Sequence, residues 1–245
     1  LLVTWAVLAL GGCDKGRVDA ATHPEAGAGE AGSGAAVMLL YAEQEPGAEP
    51  YTTRIVVTPE HLRIDDGAGG GDFVLLDRAA RVVYSVNSAD ATLLRIPYVE
   101  RPLEPPIPLE VARERLPLED APAVGGHAPA HFRYSANDET CLDVIAVPGL
   151  ADGAAAAMAE YRRVLASEHR RLLPRVPADQ HRGCDLMRNV FAPAQAAARG
   201  VPLEQWDETG YRRSLVDFDV DFQPAPGMFD LPEDHRAMTL GGEGA

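Results

Sequence analysis

The sequence predicts an α+β fold, in which an antiparallel sheet carries a helical insert packed on it. Three observations support this. Short apolar runs bounded by turn residues follow one another from Val37 to Ile96, as strands joined by tight connections do. Apolar residues then recur at helical spacing within 151–200, and strand-like alternation returns after Gly200. A strand pattern interrupted once by helical periodicity indicates one sheet with one helical segment.

The first third of the chain contains six runs that each fit a strand: VMLLYAEQ, TRIVVTP, HLRIDD, DFVLLDR, RVVYSVN and TLLRIP. Their short connections favour an antiparallel meander. Apolar side chains alternate with more polar ones within the runs, which places one face of the sheet in the core. The residues predicted to face inward from the third and fifth runs are Leu62, Ile64, Tyr84 and Val86.

The middle of the chain begins with a proline-rich stretch over 101–126. Proline cannot donate to a strand ladder, so this stretch is predicted to cross the sheet as an extended segment rather than to form a central strand. Two strands follow, HFRYSA and TCLDVIAV. The first of these places Phe132 and Tyr134 on one face, which we assign to the interior.

The helical insert begins near Asp152, a suitable N-cap, and its first helix is predicted to run to Leu173, before Pro174. A second helix is predicted near 179–191, in an insert that ends at Gly200.

The last third of the chain predicts a hairpin, because VPLEQW and YRRSLVDFDVDF flank the turn DETG. In the second strand Phe218 and Val220 are predicted to face inward. The alternating carboxylates could suggest a metal site, yet residues two apart in a strand lie about 6.6 Å from each other, too far for one cation to use all three without other ligands. A solvated outer face is the favoured interpretation of Asp217, Asp219 and Asp221.

The first twelve residues resemble a secretory signal peptide. LLVTWAVLALGG is apolar and uncharged, and its length is well short of the roughly 20 residues that a membrane-spanning helix needs. The basic region that opens such a leader is missing. Since the chain opens on Leu1 without a methionine, we expect that region to precede it.

The residues from Leu10 to Cys13 resemble the lipobox of bacterial lipoproteins, in which two small residues precede the cysteine that receives the lipid. We therefore predict a signal peptide over 1–12, lipidation of Cys13 and a flexible tether over 13–36. An ordinary signal peptide with an incidental cysteine is the alternative. The folded part is predicted as a single periplasmic domain over 37–240.

The expected location is the periplasmic face of a bacterial membrane, with the protein attached through its N-terminal lipid. Asp14 resembles the inner-membrane retention signal of enteric bacteria. That rule does not hold in every lineage, so the choice between inner and outer membrane stays open.

The remaining two cysteines, Cys141 and Cys184, are predicted to form a disulfide, because an even pair in an oxidising compartment is usually bonded. The rival interpretation, a thiol nucleophile, lacks a helper motif.

Composition excludes some classes of partner. The net charge is −15, from 37 acidic and 22 basic residues, and no basic stripe suited to nucleic acid is present. The sequence has no G-x-S-x-G elbow and no phosphate-binding glycine motif. His127 and His131 are four apart but separated by Pro129, so we treat their spacing as incidental. We predict no cofactor, no metal and no catalytic residue, and an enzyme is disfavoured.

The stretches TRIVVTPEHLRIDDG, DFVLLDRAARVVYSVN and MFDLPEDHRAM resemble the LolA/LolB-like group of envelope proteins and their lipoprotein relatives, over about half of the chain. The resemblance implies a strongly curved antiparallel sheet, a half-barrel, with helices on its concave side and a hydrophobic cavity for acyl chains or a partner's segment. Lipidation at Cys13 resembles the receptor-type members. The helical insert and the two later cysteines depart from the carrier pattern and put lipoprotein transfer in doubt.

Three hypotheses about function follow, in order of preference. The first is a membrane-tethered binder of a lipid or other hydrophobic ligand, for which the alternative is that the inward residues form a filled core. The second is a protein-interaction module of the cell envelope. The third is a hydrolase or metal-dependent enzyme. The cavity lining predicted by the first hypothesis is Leu62, Ile64, Tyr84, Val86, Phe132, Tyr134, Phe218 and Val220.

Overall fold

The computed structural model describes residues 36–69 and 71–240 of the 245-residue chain. Their strands form one curved, unclosed sheet with a helical segment packed on it, which confirms the predicted α+β fold. The strands are β1 (Ala36–Gln44), β2 (Tyr51–Val57), β3 (His61–Asp65), β4 (Phe73–Asp77), β5 (Val82–Asn87), β6 (Thr92–Pro97), β7 (Val111–Leu116), β8 (Ala130–Ala136), β9 (Glu139–Val147), β10 (Val201–Asp207), β11 (Arg212–Phe222) and β12 (Arg236–Thr239).

The order of the strands across the sheet is β12-β6-β5-β4-β3-β2-β1-β11-β10-β9-β8-β7. The first six strands form the predicted meander, and β7 to β11 form the other half. The halves join where β1 pairs antiparallel with β11, for example at Leu39 and Phe218. Only β12 and β6 are parallel neighbours among the described strands.

The proline-rich stretch does contain a strand, contrary to the prediction that it would only cross the sheet. Among the described strands, β7 lies at the end of the sheet and pairs with β8 alone. An edge position tolerates flanking prolines, because one side of the strand needs no partner.

The register of the meander defines two faces of the sheet. Directly paired residues share a face, and Leu62, Leu76, Val83 and Ile96 form one such row. These residues pack in the main core together with residues of the long helix. We call this the helix face and its opposite the outer face.

The prediction that Tyr84 and Val86 share the inward face of Leu62 is wrong. Tyr84 pairs with Leu75, which in turn pairs with Arg63, so it lies on the outer face. Val86 shares that face through the period of two. The fifth run is apolar on both sides, so alternation alone could not decide which side faces the helix; pairing with β4 does.

Helix α1 (Asp152–Leu172) covers the helix face. Its buried side includes several alanines, which let the helix lie close to the strands. The N-cap is Ala151, one residue before the predicted Asp152, and the helix ends before Pro174, which lies in a 3-10 turn (Leu173–Arg175). Arg78 and Glu160 form an ion pair with an N–O distance of 2.7 Å that attaches the helix to the β4–β5 turn.

The second predicted helix is replaced by three short pieces. They are a 3-10 turn (Ala178–Gln180), α2 (Gly183–Leu186) and a π-helical turn (Met187–Phe191). The insert ends at Gly200 as predicted, after a further 3-10 turn (Ala197–Arg199). The predicted disulfide is confirmed: Cys141 of β9 is bonded to Cys184 of α2, with a Cα–Cα distance of 5.1 Å.

The outer face of the meander is crossed by residues 223–235, which we call the C-terminal strap. Arg63 donates a hydrogen bond to the main-chain oxygen of Met228 at 2.7 Å, and the rings of His61 and Phe229 stack at 5.4 Å. The strap then leads into β12 beside β6. Leu75, which pairs with Arg63 on this outer face, is only 2% exposed.

No helix within 36–69 and 71–240 has both the length and the apolar composition needed to cross a membrane.

Candidate functional site

The eight residues predicted to line a cavity do not surround one space. Leu62 is fully buried in the main core, and Ile64 and Phe218 are half-buried against it. Phe132 and Tyr134 belong to a second apolar cluster beneath the disulfide. Most of the predicted lining is therefore packed core.

Val220 is 43% exposed, so its assignment to the interior is wrong. β10 pairs with β11 only from Arg212 to Ser214, so among the described strands the rest of β11 is paired with β1 alone. The β1–β11 pairing also shifts register twice, once between Leu40 and Tyr41 and once between Ala36 and Met38. Strict alternation along β11 therefore does not hold.

A cavity of about 320 Å³ lies on the helix face, between α1, the later part of the helical insert and the paired ends of β10 and β11. Of the eight predicted residues, only Ile64 lines it. Its apolar lining includes Ile55, Ile64, Leu142, Met158 and Met187, and its polar lining includes Arg162, Arg188, Gln195, Asp207, Tyr211 and Arg213.

Arg213 is a largely buried charge of the cavity lining, with its side chain 11% exposed. Its guanidinium lies 3.6 Å from the ring centroid of Tyr41, and its Nε is 3.8 Å from Glu43 Oε1. Burial alone would lower the pKa of Arg213, but Tyr41 and Glu43 raise it above its usual value. The side chain is therefore a permanent cation in the cavity wall.

Tyr211 completes this group by donating a hydrogen bond to Glu43 Oε2 at 2.6 Å. Burial, and next the bond to Glu43, raise the pKa of Tyr211, so its phenol stays protonated at neutral pH.

Arg188 connects the helical insert to the β10–β11 turn. It forms ion pairs with Asp207, with Glu208 at 2.8 Å and with Asp185 at 3.4 Å. These contacts fix its guanidinium at the cavity wall.

Three buried nitrogens of the cavity lining have no hydrogen-bond partner within the described part of the chain: Nε of Arg188, Nε of Arg213 and Nε2 of Gln195. Buried polar atoms in proteins are nearly always paired, so these three atoms are locally unsatisfied donors. The wall thus combines polar and charged side chains of both signs with an apolar surface.

Sequence reasoning missed this site. It did not single out Arg188 or Arg213. One usable signal was present, because counting back two residues from Leu215 along β11 places Arg213 on the inward face. Leu215 pairs with Tyr41 and Arg213 with Glu43.

The predicted carboxylate row is exposed, as the solvated-face interpretation expects of Asp217, Asp219 and Asp221. Within the described ranges, no group of three or more His, Cys, Asp or Glu side chains is placed to hold a metal ion. His131 instead contacts Asp143 on the outer face, with an N–O distance of 2.8 Å.

No family model matches the sequence, and no curated protein matches it. Three solved structures show similarity at low identity. An uncharacterized conserved protein from Thermus thermophilus is 10% identical, with a TM-score of 0.43 over 84% of this chain and 90% of that one. PNGF-II is 10% identical, with a TM-score of 0.40 over 84% of this chain and 31% of that one. MucB is 10% identical, with a TM-score of 0.39 over 82% of this chain and 59% of that one. The chain thus spans less than two thirds of PNGF-II and of MucB, and similarity at this level assigns no function.

Proposed function

We propose that this protein is a membrane-anchored lipoprotein of the bacterial cell envelope that binds a small hydrophobic or amphipathic ligand on the helix face of its sheet. The observation that carries the proposal is the cavity of about 320 Å³ between α1, the insert and β10–β11. That volume is at the lower end of the range of about 300–1,000 Å³ typical of ligand sites, and a few polar groups stand beside an apolar wall, as such sites require.

The ligand is small rather than a large lipid, because most of the helix face is filled by packed side chains such as Leu62 and Leu76. The lining predicted from the strand pattern is therefore replaced by the residues of the cavity. The proposed role is binding and not catalysis.

Native mass spectrometry of the protein purified from the periplasm tests this proposal. The Cys13→Ala chain is used so that no covalent lipid contributes to the mass. We expect a non-covalently bound small molecule at near-stoichiometric level, and lipid extraction would identify its class. An empty protein that also ignores added amphiphiles would contradict the proposal.

A matched pair of variants localises the binding. Ala196 lines the cavity, whereas Ala198 is exposed outside it. Ala196→Leu should displace the ligand by filling part of the space, and Ala198→Leu should leave it bound. Equal occupancy in both variants would place the ligand elsewhere.

Anchoring depends on residues that lie outside the described ranges, Cys13 and the tether among them. Expressed behind a complete lipoprotein leader, the chain should incorporate labelled palmitate and fractionate with membranes. Cys13→Ala should lose the label and appear in the soluble periplasmic fraction. The membrane with which the wild type fractionates would also distinguish inner from outer.

A second candidate function is a protein-interaction module, which the open edge of the sheet at β7 favours. Within the part of the chain that the structure describes, β7 pairs with β8 alone, and Val111 is 40% exposed. An unpaired edge can accept a strand from a partner. Val111→Lys should abolish co-purification of an envelope partner if this edge is used, and unchanged co-purification would exclude it.

A further inference from the structure

A second concave surface adjoins the cavity and shares residues 192, 193 and 195 with it. It is a groove of about 310 Å³ between α1 and segment 191–198 of the insert, with Tyr98 also in its wall. We call it the arginine groove, because the two charged residues in its lining are Arg163 and Arg170.

The arginine groove differs from the cavity in its charge. No carboxylate of the described residues lines it, whereas Asp207 stands among the arginines of the cavity. Arg163 and Arg170 are seven residues apart, close to two turns of α1, so both project from the same side of the helix. In a chain with 37 acidic and 22 basic residues, a concave wall whose charged residues are all basic is contrary to the composition.

The carboxylates nearest to these arginines along α1 are already bonded to other residues. Glu160 accepts hydrogen bonds from Arg78 at 2.7 and 3.0 Å. Glu168 accepts them from Arg171 at 2.8 and 2.9 Å. Arg163 is exposed and forms no ion pair and no side-chain hydrogen bond within the ranges that the structure describes. Its donors are therefore free for a ligand.

The excess of positive charge persists when the two adjoining depressions are included, one of which shares Arg163 and the other Arg170. The arginines that line the three surfaces are Arg78, Arg81, Arg101, Arg163, Arg170 and Arg171. The carboxylates that line them or bond these arginines are Glu60, Glu100, Glu160 and Glu168. Six arginines against four carboxylates leave an excess of two positive charges.

Two contacts hold the groove in shape. Nη2 of Arg170 donates a hydrogen bond to the main-chain oxygen of Val190 at 2.7 Å, which attaches its guanidinium to the insert. The guanidinium of Arg81 lies 3.5 Å from the ring centroid of Tyr98, which orients that ring in the groove wall. No hydrogen bond of the Tyr98 hydroxyl is found in the described part of the chain, so this group is a further free donor.

These groups suit a phosphate. A guanidinium can only donate hydrogen bonds, and its planar fork matches two phosphate oxygens at once. A phosphate monoester carries a charge of about −1.5 to −2 at neutral pH, which corresponds to the excess of two positive charges around the groove. A carboxylate would neutralise only about half of that excess.

We propose that the arginine groove binds a phosphate monoester, either a soluble one or one carried by a lipid head group. Arg163 and Arg170 contact its oxygens, and the Tyr98 hydroxyl donates a further hydrogen bond. The site is separate from the ligand cavity and does not depend on the function proposed for it.

Isothermal titration calorimetry of the Cys13→Ala chain compares three soluble probes: propyl phosphate, butyrate and propanol. Propyl phosphate should bind about tenfold or more tighter than butyrate, and propanol should not bind. Co-sedimentation with phosphatidylcholine vesicles, with and without phosphatidic acid, tests the lipid source. Because a net charge of −15 repels the chain from an anionic surface, retention that requires phosphatidic acid would indicate local recognition of its phosphate.

A matched pair of variants tests the assignment to the groove. Arg163→Gln should weaken binding of the phosphate probe by about tenfold, because it removes a charged donor of the site. Its control is Arg162→Gln, since Arg162 is the adjacent exposed arginine and lines the cavity instead of the groove. Tyr98→Phe should weaken the same binding by about threefold, because it removes a neutral donor.

The two arms distinguish the sources of the phosphate. Binding of propyl phosphate without retention by the vesicles identifies a soluble ester, and retention by phosphatidic acid vesicles identifies a lipid. Absence of binding in both arms would overturn the proposal. Equal affinity for propyl phosphate and butyrate, or an equal loss in the Arg162 and Arg163 variants, would overturn it as well.

Discussion

The phenol of Tyr134 donates a hydrogen bond to the main-chain oxygen of Gln195 at 3.1 Å. Tyr134 lies on β8 and Gln195 on the wall of the cavity, so this bond attaches the insert to the sheet next to the candidate site. Burial raises the pKa of Tyr134 to about 12, which keeps the donor protonated at any physiological pH.

Replacing this phenol tests the attachment. Tyr134→Phe keeps the ring in the second apolar cluster and leaves the Gln195 carbonyl without its donor. We expect the free energy of unfolding to fall by about 1 kcal/mol, measured by urea denaturation. Tyr84→Phe is a suitable control, because no hydrogen bond of the Tyr84 hydroxyl is found among the described residues. Equal stability of the Tyr134 variant and the wild type would contradict the role of this bond.

The Cys141–Cys184 bond closes a separation of 43 residues. The chain-entropy relation gives about 4 kcal/mol for a loop of this size, and native disulfides typically contribute about 2–4 kcal/mol. The double variant Cys141→Ala and Cys184→Ala should therefore lose about that much stability in urea denaturation.

Reduction of the wild-type bond with dithiothreitol should reproduce most of this loss. The double variant itself should be insensitive to the reductant. A reductant effect of the same size in both proteins would show that it acts elsewhere.

Asp65 carries a pH dependence whose sign follows from its contacts. It accepts hydrogen bonds from Arg54 at 2.8 and 2.9 Å and from Arg63 at 2.7 Å, with a side chain only 4% exposed. Burial alone would raise the pKa of Asp65, but the two arginines lower it below the usual 3.8. Its contribution to stability is therefore complete above pH 3.8 and is lost as the pH falls through the lower pKa of the folded state.

Asp65→Asn should accordingly lower the free energy of unfolding by about 2 kcal/mol at pH 7. The difference from the wild type should shrink below pH 3.8, as the wild-type carboxyl becomes protonated. Asp221→Asn, at an exposed position, serves as the control and should change stability little at either pH. A difference that persists unchanged in acid would contradict the proposed ion pairs.

Buried and exposed positions of the sheet can be distinguished by truncation. Leu62 is fully buried, and Leu62→Ala should cost about 2–5 kcal/mol by opening a cavity in the main core. Val220 is 43% exposed, so Val220→Ala should change stability by no more than about 0.5 kcal/mol. Comparable losses in the two variants would place Val220 in the interior after all.

Much of the architecture follows from local pattern. The six strands of the meander are predictable because alternation and turn residues act over a few residues, and the same holds for the hairpin between β10 and β11. The long helix is predictable because its apolar residues recur at helical spacing before Pro174. The disulfide is predictable because two cysteines remain in the folded part, and two cysteines can pair in one way.

What the pattern could not supply was register. β5 is apolar on both faces, so only its pairing with β4 decides that Val83 and not Tyr84 meets the helix. A shift of one residue exchanges the two faces of a strand, and nothing local to β5 fixes that choice.

The candidate site depends wholly on tertiary structure. Glu43 and Arg213 meet because the first strand pairs with the eleventh across most of the chain. Arg188 and Gln195 reach the same space only because the insert folds back onto the sheet. By itself the sequence determined which segments form strands and the long helix, because these depend on residues close together in the chain. It also determined which cysteines pair, because two cysteines remain in the folded part. Only the tertiary structure decided which face is filled and which side chains line the cavity, because these depend on contacts between residues far apart in the chain.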